Sequence, residues 1–269
     1  TPDAHDVQRY LARMVAAGTT HVVLETTSHG LSQYRVDACE FDVGIVTNIT
    51  HEHLDQHGSF ENYLMAKARL FQSLEKTLPK AQGNPRLSVL NRDDSSYTAL
   101  SHICTGPQIC YGLGASADIR ADSINLSSTG IRFVGTGPDF KIPIASPLVG
   151  DYNISNCLAA LTSAICGLGI DPKIAQKGIA AMTGVPGRME KIDLGQPFSA
   201  IVDFAHTPNA LRVAIEAVRK MTNLRVIVIF GSAGLRDRTK RRMMAEVAVE
   251  HADISILTAE DPRTESLDG

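Results

Sequence analysis

The sequence predicts an α/β fold in two domains. Short apolar runs typical of buried strands alternate with segments whose apolar residues recur every three or four positions, as in amphipathic helices. The turn-rich stretch Gly184-Val185-Pro186-Gly187 interrupts this alternation and indicates a hinge. The 269 residues are enough for two ordinary hydrophobic cores. We therefore expect one domain at residues 1–185 and a second at residues 186–269.

The first domain is predicted to contain a mostly parallel sheet. Asp3 is a suitable cap for an apolar helical series that ends at Gly18, and a second apolar stripe begins after Ser59. The predicted elements are, in order, helix 3–17, strand His21–Glu25, strand Phe41–Thr47, helix 59–77 and strand Leu87–Leu90. Residues 108–145 alternate in short segments with Gly, Ser and Asp turns, which indicates an insertion of antiparallel hairpins.

Helical patterns return after the insertion and lead into a second βαβ series. The predicted helices are Asn153–Gly167, Pro172–Met182, Pro208–Met221 and Arg238–His251. The predicted strands of the second domain are Ala200–Phe204, Arg225–Phe230 and Ile254–Thr258.

The composition excludes several classes of partner. Charges are nearly balanced, with 26 Lys and Arg against 29 Asp and Glu, so we expect no nucleic-acid binding. No apolar run approaches the roughly 20 residues of a membrane span, so we expect no membrane insertion. The 5 cysteines have no CxxC spacing and suit a reducing cytoplasm. We expect a cytoplasmic protein with small-molecule partners.

Five ionisable side chains follow the apolar run Phe41 to Val46 within one short segment, Thr47–Gly58. They are His51, Glu52, His53, Asp55 and His57. Ligands bind α/β sheets at the carboxyl ends of their strands, which is where this segment is expected. Each histidine taken alone is more typical of a solvated or core histidine.

Lys67 lies in the middle of the apolar stripe of helix 59–77. A charged amine that faces a core must be paired, neutralised or modified. Snorkelling of the amine to water is the simpler explanation. The alternative is carbamylation, because an ammonium has no acceptor for a cation, whereas a carbamate would act as a carboxylate. Glu25 and His53 could complete a magnesium site, although Glu25 also suits a capping or loop role.

Three polar turns follow strands of the second domain. Asp203-Phe204-Ala205-His206-Thr207-Pro208 leads into a helix, whose first amides favour a phosphate or a ribose. Gly231–Asp237 and Glu260–Arg263 each follow a strand, and their arginines, Arg236 and Arg263, could converge on a carboxylate. For the segment Asp203–Pro208 the alternative is a plain strand-to-helix turn. For the basic residues that begin at Arg236 the alternative is a solvated helix start.

These segments together resemble the Mur ligase family, most closely its MurE-type branch. The resemblance covers nearly the whole chain. Its motifs are TPDAHDVQ, LETTSHGLSQYRV, FDVGIVTNITHEHLDQHGSFENYLMAKARLF, LVGDYNISNCLAAL, GVPGRMEKID, IVDFAHTPNAL, FGSAGLRDRTKRRMM and TAEDPRTE. It implies a P-loop-type central domain followed by a Rossmann-like domain, and an ATP-dependent ligase that adds the third amino acid to UDP-N-acetylmuramoyl-L-Ala-D-Glu. ATP, Mg²⁺, the UDP-muramoyl dipeptide and an amino acid are the implied ligands, and a monomer is expected.

The resemblance also implies a role for each residue that matches a family motif. The magnesium ligands and catalytic residues are Glu25, His53 and carbamylated Lys67. The UDP-muramoyl dipeptide binds at Thr1, Thr27, Gln33 and Arg35. ATP binds at Asn156, Arg188, Asp203 and His206. The incoming amino acid binds at Arg236, Glu260, Asp261, Pro262 and Arg263.

The chain departs from the family pattern at several positions. Thr27 replaces Ser, Leu235 replaces an Asp, and Glu260-Asp261 replaces Asp-Asn. These changes leave diaminopimelate, lysine and ornithine as candidate amino acids. The phosphate-binding loop does not occur in these 269 residues, so we expect a fragment that is inactive alone.

Two alternative functions remain. One is a related ligase on the same scaffold, such as a folylpolyglutamate or cyanophycin synthetase. The other is a non-catalytic module that binds a nucleotide or a muropeptide.

Overall fold

The computed structural model describes residues 1–49, 58–127, 129–235 and 238–266. The chain divides into two compact units. The first comprises Thr1–Ile124, Arg132–Ile144 and Tyr152–Ile179, and the second comprises Asn125–Ile131, Ala145–Asp151 and Ala180–Gly269. The domain boundary proposed between residues 185 and 186 stays a prediction.

Helices and strands alternate along the described residues. The α-helices are α1 (Ala4–Ala16), α2 (Ser28–Ser32), α3 (Phe60–Leu74), α4 (Tyr97–Ile103), α5 (Tyr152–Thr162), α6 (Pro172–Ala180), α7 (Pro208–Met221) and α8 (Thr239–His251). A π-helical turn, Ser163–Gly167, continues α5. The strands are β1 (Val43–Ile45), β2 (Leu87–Asn91), β3 (Gln108–Gly112), β4 (Ile119–Ser127), β5 (Gly130–Thr136), β6 (Lys141–Ser146), β7 (Glu190–Ile192), β8 (Ala200–Val202), β9 (Ile227–Phe230) and β10 (Ile254–Leu257).

A six-stranded sheet in the order β1-β2-β3-β4-β5-β6 organises the first part of the chain. The pairs β1/β2, β2/β3 and β3/β4 are parallel, with Gly44 opposite Ser88 and Leu90 opposite Cys110. All of β2 is buried, as expected for a parallel strand covered on both faces. At Gly44 a Cβ would lie 3.2 Å from Phe71, so glycine lets α3 approach β1 closely.

The core of the first unit lies between α3 and the sheet. Its buried side chains include Tyr63, Leu64, Phe71 and Leu74 of α3 and Leu90 of β2. This confirms the apolar stripe expected from the spacing in helix 59–77. The stripe therefore determines which face of α3 packs against the sheet.

The second unit contains a βαβ arrangement. Strands β9 and β10 are parallel neighbours, and α8 lies between them in the chain. Helices α7 and α8 enclose a small core of Leu211, Ile215, Val226, Met244 and Ala248. Strands β7 and β8 form a separate antiparallel pair, in which Lys191 faces Ile201.

The α/β class with a mostly parallel sheet is confirmed, but two predicted elements were wrong. Residues 21–25 form no strand, and Val23 is 96% exposed, because a strand needs a ladder partner and none lies beside this segment in the described residues. Gln108–Gly112 is not part of an antiparallel hairpin, since β3 pairs in parallel with β2 and β4. Helices α2 and α4 and strand β7 were not predicted. None of the described helices is both long enough and apolar enough to cross a membrane.

Candidate functional site

Thr1 and Thr27 form the centre of a polar cluster in the first unit. The Thr27 backbone N–H donates to Thr1 Oγ1 at 3.0 Å, and Thr1 Oγ1 donates to the Glu25 carbonyl at 3.2 Å. Thr27 also caps α2, because its Oγ1 accepts the N–H of Gly30 at 3.0 Å. A Cβ at Gly30 would lie 2.8 Å from Thr1, so only glycine allows this approach.

Arg35 joins the same cluster from the far end of α2. Its Nε donates to Gln33 Oε1 at 2.9 Å, and its Nη1 donates to the Thr1 carbonyl at 2.9 Å. Nη1 also lies 3.3 Å from Asp3 Oδ1. The structure therefore brings together all four side chains predicted to bind the UDP-muramoyl dipeptide: Thr1, Thr27, Gln33 and Arg35. Their hydroxyl, amide and guanidinium groups can bind a polar, negatively charged molecule.

Glu25 lies beside this cluster, but the reason given for its position was wrong. It was expected at the carboxyl end of a strand, and it follows an unpaired segment instead. Its side chain is exposed, and its carboxylate oxygens are of the type that Mg²⁺ prefers. His53 lies outside the described residues. Within those residues no three His, Cys, Asp or Glu side chains form a group suited to a metal.

Lys67 is half-buried on α3 between two buried alanines, Ala66 and Ala68. Its Nζ lies 5.3 Å from the centre of the Tyr63 ring, which is one helical turn earlier. This distance suits a cation–π contact, so the amine extends along the helix. The contact fits the charged ammonium of the snorkelling explanation, whereas an anionic carbamate would lose it.

Three hydrogen bonds fix the chain where it leaves β1 towards the histidine-rich segment. The Val46 carbonyl accepts from the Tyr111 hydroxyl at 2.9 Å, and the Thr47 carbonyl accepts from Asn91 Nδ2 at 2.6 Å. The Ile49 N–H donates to Asp94 Oδ1 at 3.3 Å. Sequence reasoning missed these side chains. The polar run Asn91-Arg92-Asp93-Asp94 directly after a buried strand was the available signal.

Arg188, Phe204 and His206 form a row of contacting side chains in the second unit. The Arg188 guanidinium lies 4.8 Å from the centre of the Phe204 ring, and the Phe204 and His206 rings are 4.9 Å apart at 62°. Asp203 accepts the N–H of Met189 at 2.8 Å and that of Ala205 at 2.9 Å. Three of the predicted ATP-binding residues, Arg188, Asp203 and His206, therefore lie together, and Phe204 was missed.

The helix that follows this row begins as the sequence predicts. Thr207 Oγ1 accepts the N–H of Ala210 at 3.2 Å, and Pro208 is the first residue of α7. The fourth predicted ATP-binding residue, Asn156, is exposed on α5 of the first unit, where its Nδ2 donates to Asn153 Oδ1 at 3.0 Å.

The loops after β9 and β10 touch through their backbones. The N–H of Gly234 donates to the Asp261 carbonyl at 2.7 Å, and a Cβ on Gly234 would lie 2.1 Å from the Pro262 carbonyl oxygen. Arg263 Nε lies 3.6 Å from Asp261 Oδ2. The predicted amino-acid pocket residues Asp261, Pro262 and Arg263 thus lie on one compact turn with Glu260, while Arg236 lies outside the described residues.

Glu265 is a further residue of this turn that the sequence did not single out. Its carboxylate accepts the Leu235 N–H at 2.9 Å and two bonds from Arg241 at 2.6 and 3.0 Å. Hydrogen bonds from Arg241, Leu235 and Arg238 lower the pKa of Glu265 to about 2. Glu265 is therefore ionised at neutral pH.

Two family models match the chain. The Mur ligase middle domain matches residues 1–164, and the Mur ligase glutamate ligase domain matches residues 187–268. The chain belongs to the Mur ligase family. The match to the two Mur ligase domains agrees with the mixed α/β architecture described above.

Individual Mur ligases resemble the chain along almost its whole length. A UDP-N-acetylmuramoyl-L-alanyl-D-glutamate--2,6-diaminopimelate ligase of Geobacillus thermodenitrificans is 38% identical over 98% of this chain and 54% of its own length. A UDP-N-acetylmuramyl-tripeptide synthetase of Roseiflexus sp. is 40% identical over 98% of this chain and 53% of its own length. The chain therefore spans about half the length of these relatives.

Solved structures show the same fold. A structure of a UDP-N-acetylmuramoyl-L-alanyl-D-glutamate--2,6-diaminopimelate ligase has a TM-score of 0.73 and 32% identity over 99% of this chain and 53% of that one. The apo form of the folylpolyglutamate synthetase of L. casei has a TM-score of 0.65 at 18% identity, over 87% of this chain and 54% of that one. The second likeness shows the fold alone.

Proposed function

We propose that this chain is part of an ATP-dependent ligase that adds the third amino acid to UDP-N-acetylmuramoyl-L-Ala-D-Glu. The observation that carries the proposal is the similarity to ligases of this name over 98% of the chain, at 38 to 40% identity. Such an enzyme transfers the γ-phosphoryl group of ATP to a carboxylate of the dipeptide. The amine of the amino acid then attacks the acyl phosphate, forms the amide bond and releases inorganic phosphate.

The cluster around Thr1 supports binding of the UDP-muramoyl dipeptide. Hydrogen bonds among Thr1, Thr27, Gln33 and Arg35 hold these side chains close together before a substrate arrives. Arg35 supplies a positive charge for a phosphate or a carboxylate. Preorganisation of this kind reduces the entropic cost of binding.

ATP is the second proposed ligand, with Mg²⁺ as the metal. The row of Arg188, Phe204 and His206 offers aromatic faces and a cation, beside the Asp203 carboxylate. Asn156 is assigned to ATP by its motif. When bound, Mg²⁺ neutralises the charge of the phosphates during phosphoryl transfer.

Glu25, His53 and Lys67 are the proposed magnesium ligands and catalytic residues. Glu25 supplies exposed carboxylate oxygens that fit a hard cation. Lys67 fits only as a carbamate, because an ammonium would repel the metal.

The turn Glu260–Arg263, together with Arg236, is proposed to bind the incoming amino acid. Diaminopimelate is the leading substrate, because relatives at 38 to 40% identity are named for it. In addition, the Arg263 guanidinium can bind its distal carboxylate. The acidic pair Glu260-Asp261 instead favours a cationic side chain, so lysine and ornithine are the competitors.

An amino-acid panel tests this function in the complete gene product. Phosphate release from ATP is measured with the UDP-muramoyl dipeptide and with diaminopimelate, lysine or ornithine. We expect release to depend on both substrates and to be fastest with diaminopimelate. Equal rates with all three would show that Arg236 and Arg263 do not discriminate among these amino acids. Absence of release with every amino acid would favour the non-catalytic binding module.

The proposed enzyme acts in the cytoplasm as a monomer. UDP-linked precursors and ATP are cytoplasmic small molecules, and the overall charge of -3 suits a protein that binds no nucleic acid. Sedimentation of the complete gene product, with and without ATP, tests the oligomeric state.

A further inference from the structure

The carboxylate of Glu265 connects three segments of the second unit. Its Oε2 accepts the backbone N–H of Leu235 at 2.9 Å and Arg241 Nη2 at 2.6 Å. Its Oε1 accepts Arg241 Nη1 at 3.0 Å and Arg238 Nη2 at 2.5 Å. The Glu265 side chain is 14% exposed, so these bonds are largely shielded from water. Bidentate pairing with Arg241 fixes the orientation of the carboxylate as well as its charge.

The two loops that Glu265 joins are already in close backbone contact. Besides the bond from Gly234 to Asp261, a Cβ at Gly231 would lie 2.4 Å from the Thr258 carbonyl oxygen. This spacing leaves no room for a larger residue at Gly231. A small change in the separation of the loops therefore changes the contacts of both.

Leu235 and Arg263 are held in an unusual backbone conformation within these loops. Their φ angles are 54° and 53°, in the left-handed region that residues other than glycine rarely adopt. Such conformations persist where the surroundings hold them. The Leu235 N–H is held by Glu265, and Leu235 directly precedes Arg236 in the sequence.

Glu265 also determines which arginines can meet a substrate. Arg238 and Arg241 direct their guanidinium groups to its carboxylate, so their charges are compensated within the protein. Arg263 is paired less closely, because its Nε lies 3.6 Å from Asp261 Oδ2. The distal carboxylate of an amino acid would therefore meet Arg263 without competition from Arg238 or Arg241.

We propose that Glu265 is a positioning residue of the amino-acid pocket. It sets the separation and conformation of the two loops and keeps Arg238 and Arg241 away from the substrate carboxylate. This inference rests on the proposed function of the turn Glu260–Arg263. Glu265 itself need not touch the amino acid.

The test compares Glu265→Gln with Glu246→Gln in the complete gene product. Glutamine keeps the shape of Glu265, but its amide loses the charge and places donors against Arg241. Glu246 is a matched control, because it accepts from Arg242 at 2.8 Å on the same helix and is 58% exposed. Initial rates of phosphate release give KM values for the amino acid and for ATP separately.

We expect Glu265→Gln to raise KM for the amino acid about tenfold or more, while KM for ATP changes less than about threefold. Glu246→Gln should leave both values unchanged. An unchanged KM for the amino acid in Glu265→Gln would overturn the inference, and so would an equal loss for every substrate. If Glu265→Gln does not fold, Arg241→Lys keeps the charge, loses the bidentate pair and should raise the same KM. An unmodified protein that releases no phosphate with any amino acid would overturn the proposed function together with this inference.

Discussion

The hydroxyl of Tyr111 donates a hydrogen bond of 2.9 Å to the carbonyl of Val46, at the point where the chain leaves β1 for the histidine-rich segment. Tyr111 lies on β3 and is fully buried, with 0% of its surface exposed. Burial raises the pKa of the Tyr111 hydroxyl, so it remains a neutral donor. The bond therefore ties the centre of the sheet to the start of the proposed metal-binding segment.

Removing this hydroxyl should destabilise the protein. Tyr111→Phe leaves the Val46 carbonyl without its side-chain donor in a buried place, which costs about 1 to 3 kcal/mol of unfolding free energy. Urea denaturation measures the change. Tyr10→Phe is the control, because Tyr10 is 42% exposed on α1 and should lose little. Equal effects of the two substitutions would show that the bond to Val46 contributes nothing.

Local patterns predicted the helices well. The series after Thr207 predicted a helix from Pro208 to Met221, and α7 has these bounds, because a cap, a proline and a 3.6-residue period are all local signals. The predicted strand His21–Glu25 failed for the opposite reason. A strand depends on a partner elsewhere in the chain, which an apolar run cannot reveal.

In the candidate site, too, local motifs were predictive and contacts between distant residues were not. Motifs located Thr27 and Arg35, and the structure brings them close to Thr1. Phe204 and Glu265 were missed because the arginines that they contact, Arg188 and Arg241, are distant from them in the sequence. Glu265 lies 24 residues from Arg241 in the sequence, so no local pattern connects the two side chains. The assignments of His53 and Arg236 stay predictions, since both lie outside the described residues.

Lys67 provides a chemical test of the magnesium site. If it is carbamylated, Lys67→Ala in the complete gene product should abolish phosphate release, because the metal loses a carboxylate-like ligand. Bicarbonate cannot form a carbamate at alanine, which has no side-chain amine. Short carboxylates such as acetate should partly restore activity by occupying the place of the missing carbamate. The measurement is the rate of phosphate release against carboxylate concentration.

Lys76→Ala is the control for Lys67, because Lys76 is exposed just beyond the end of α3. It should retain the activity of the unmodified protein with or without acetate. Retained activity in Lys67→Ala would instead support snorkelling, in which the amine contacts the Tyr63 ring and reaches water.

The row of Arg188, Phe204 and His206 in the second unit predicts a selective effect on KM for ATP. Phe204→Leu removes the ring between Arg188 and His206, which lie 4.8 and 4.9 Å from it. The aromatic contact and the cation–π contact hold Arg188 and His206 in place, and each is worth roughly 0.5 to 1.5 kcal/mol within the protein. Their loss should raise KM for ATP about threefold or more. KM for the amino acid should change little.

Arg212→Met is a suitable comparison for Phe204→Leu. Arg212 pairs with Glu216 at 2.9 Å along α7, one turn beyond the helix start, and does not belong to the row. An equal rise in KM for ATP and KM for the amino acid in Phe204→Leu would contradict a nucleotide role for the row. KM values that match those of Arg212→Met would contradict it as well.

The pairing of Glu265 with Arg241 predicts the acid limb of the stability curve. The pKa of this carboxyl is lowered from 4.5 to about 2 in the folded protein. A lowered pKa stabilises the fold at pH values above the unfolded pKa, and this contribution is lost as the pH falls through the folded pKa. The difference in melting temperature between the unmodified protein and Glu265→Gln should therefore be constant above about pH 5 and shrink towards pH 2. Glu246→Gln, which removes an exposed pair on the same helix, is the control for general charge effects. A difference that stays constant down to the lowest pH would mean that the Glu265 carboxylate is not held by Arg241 in the folded protein.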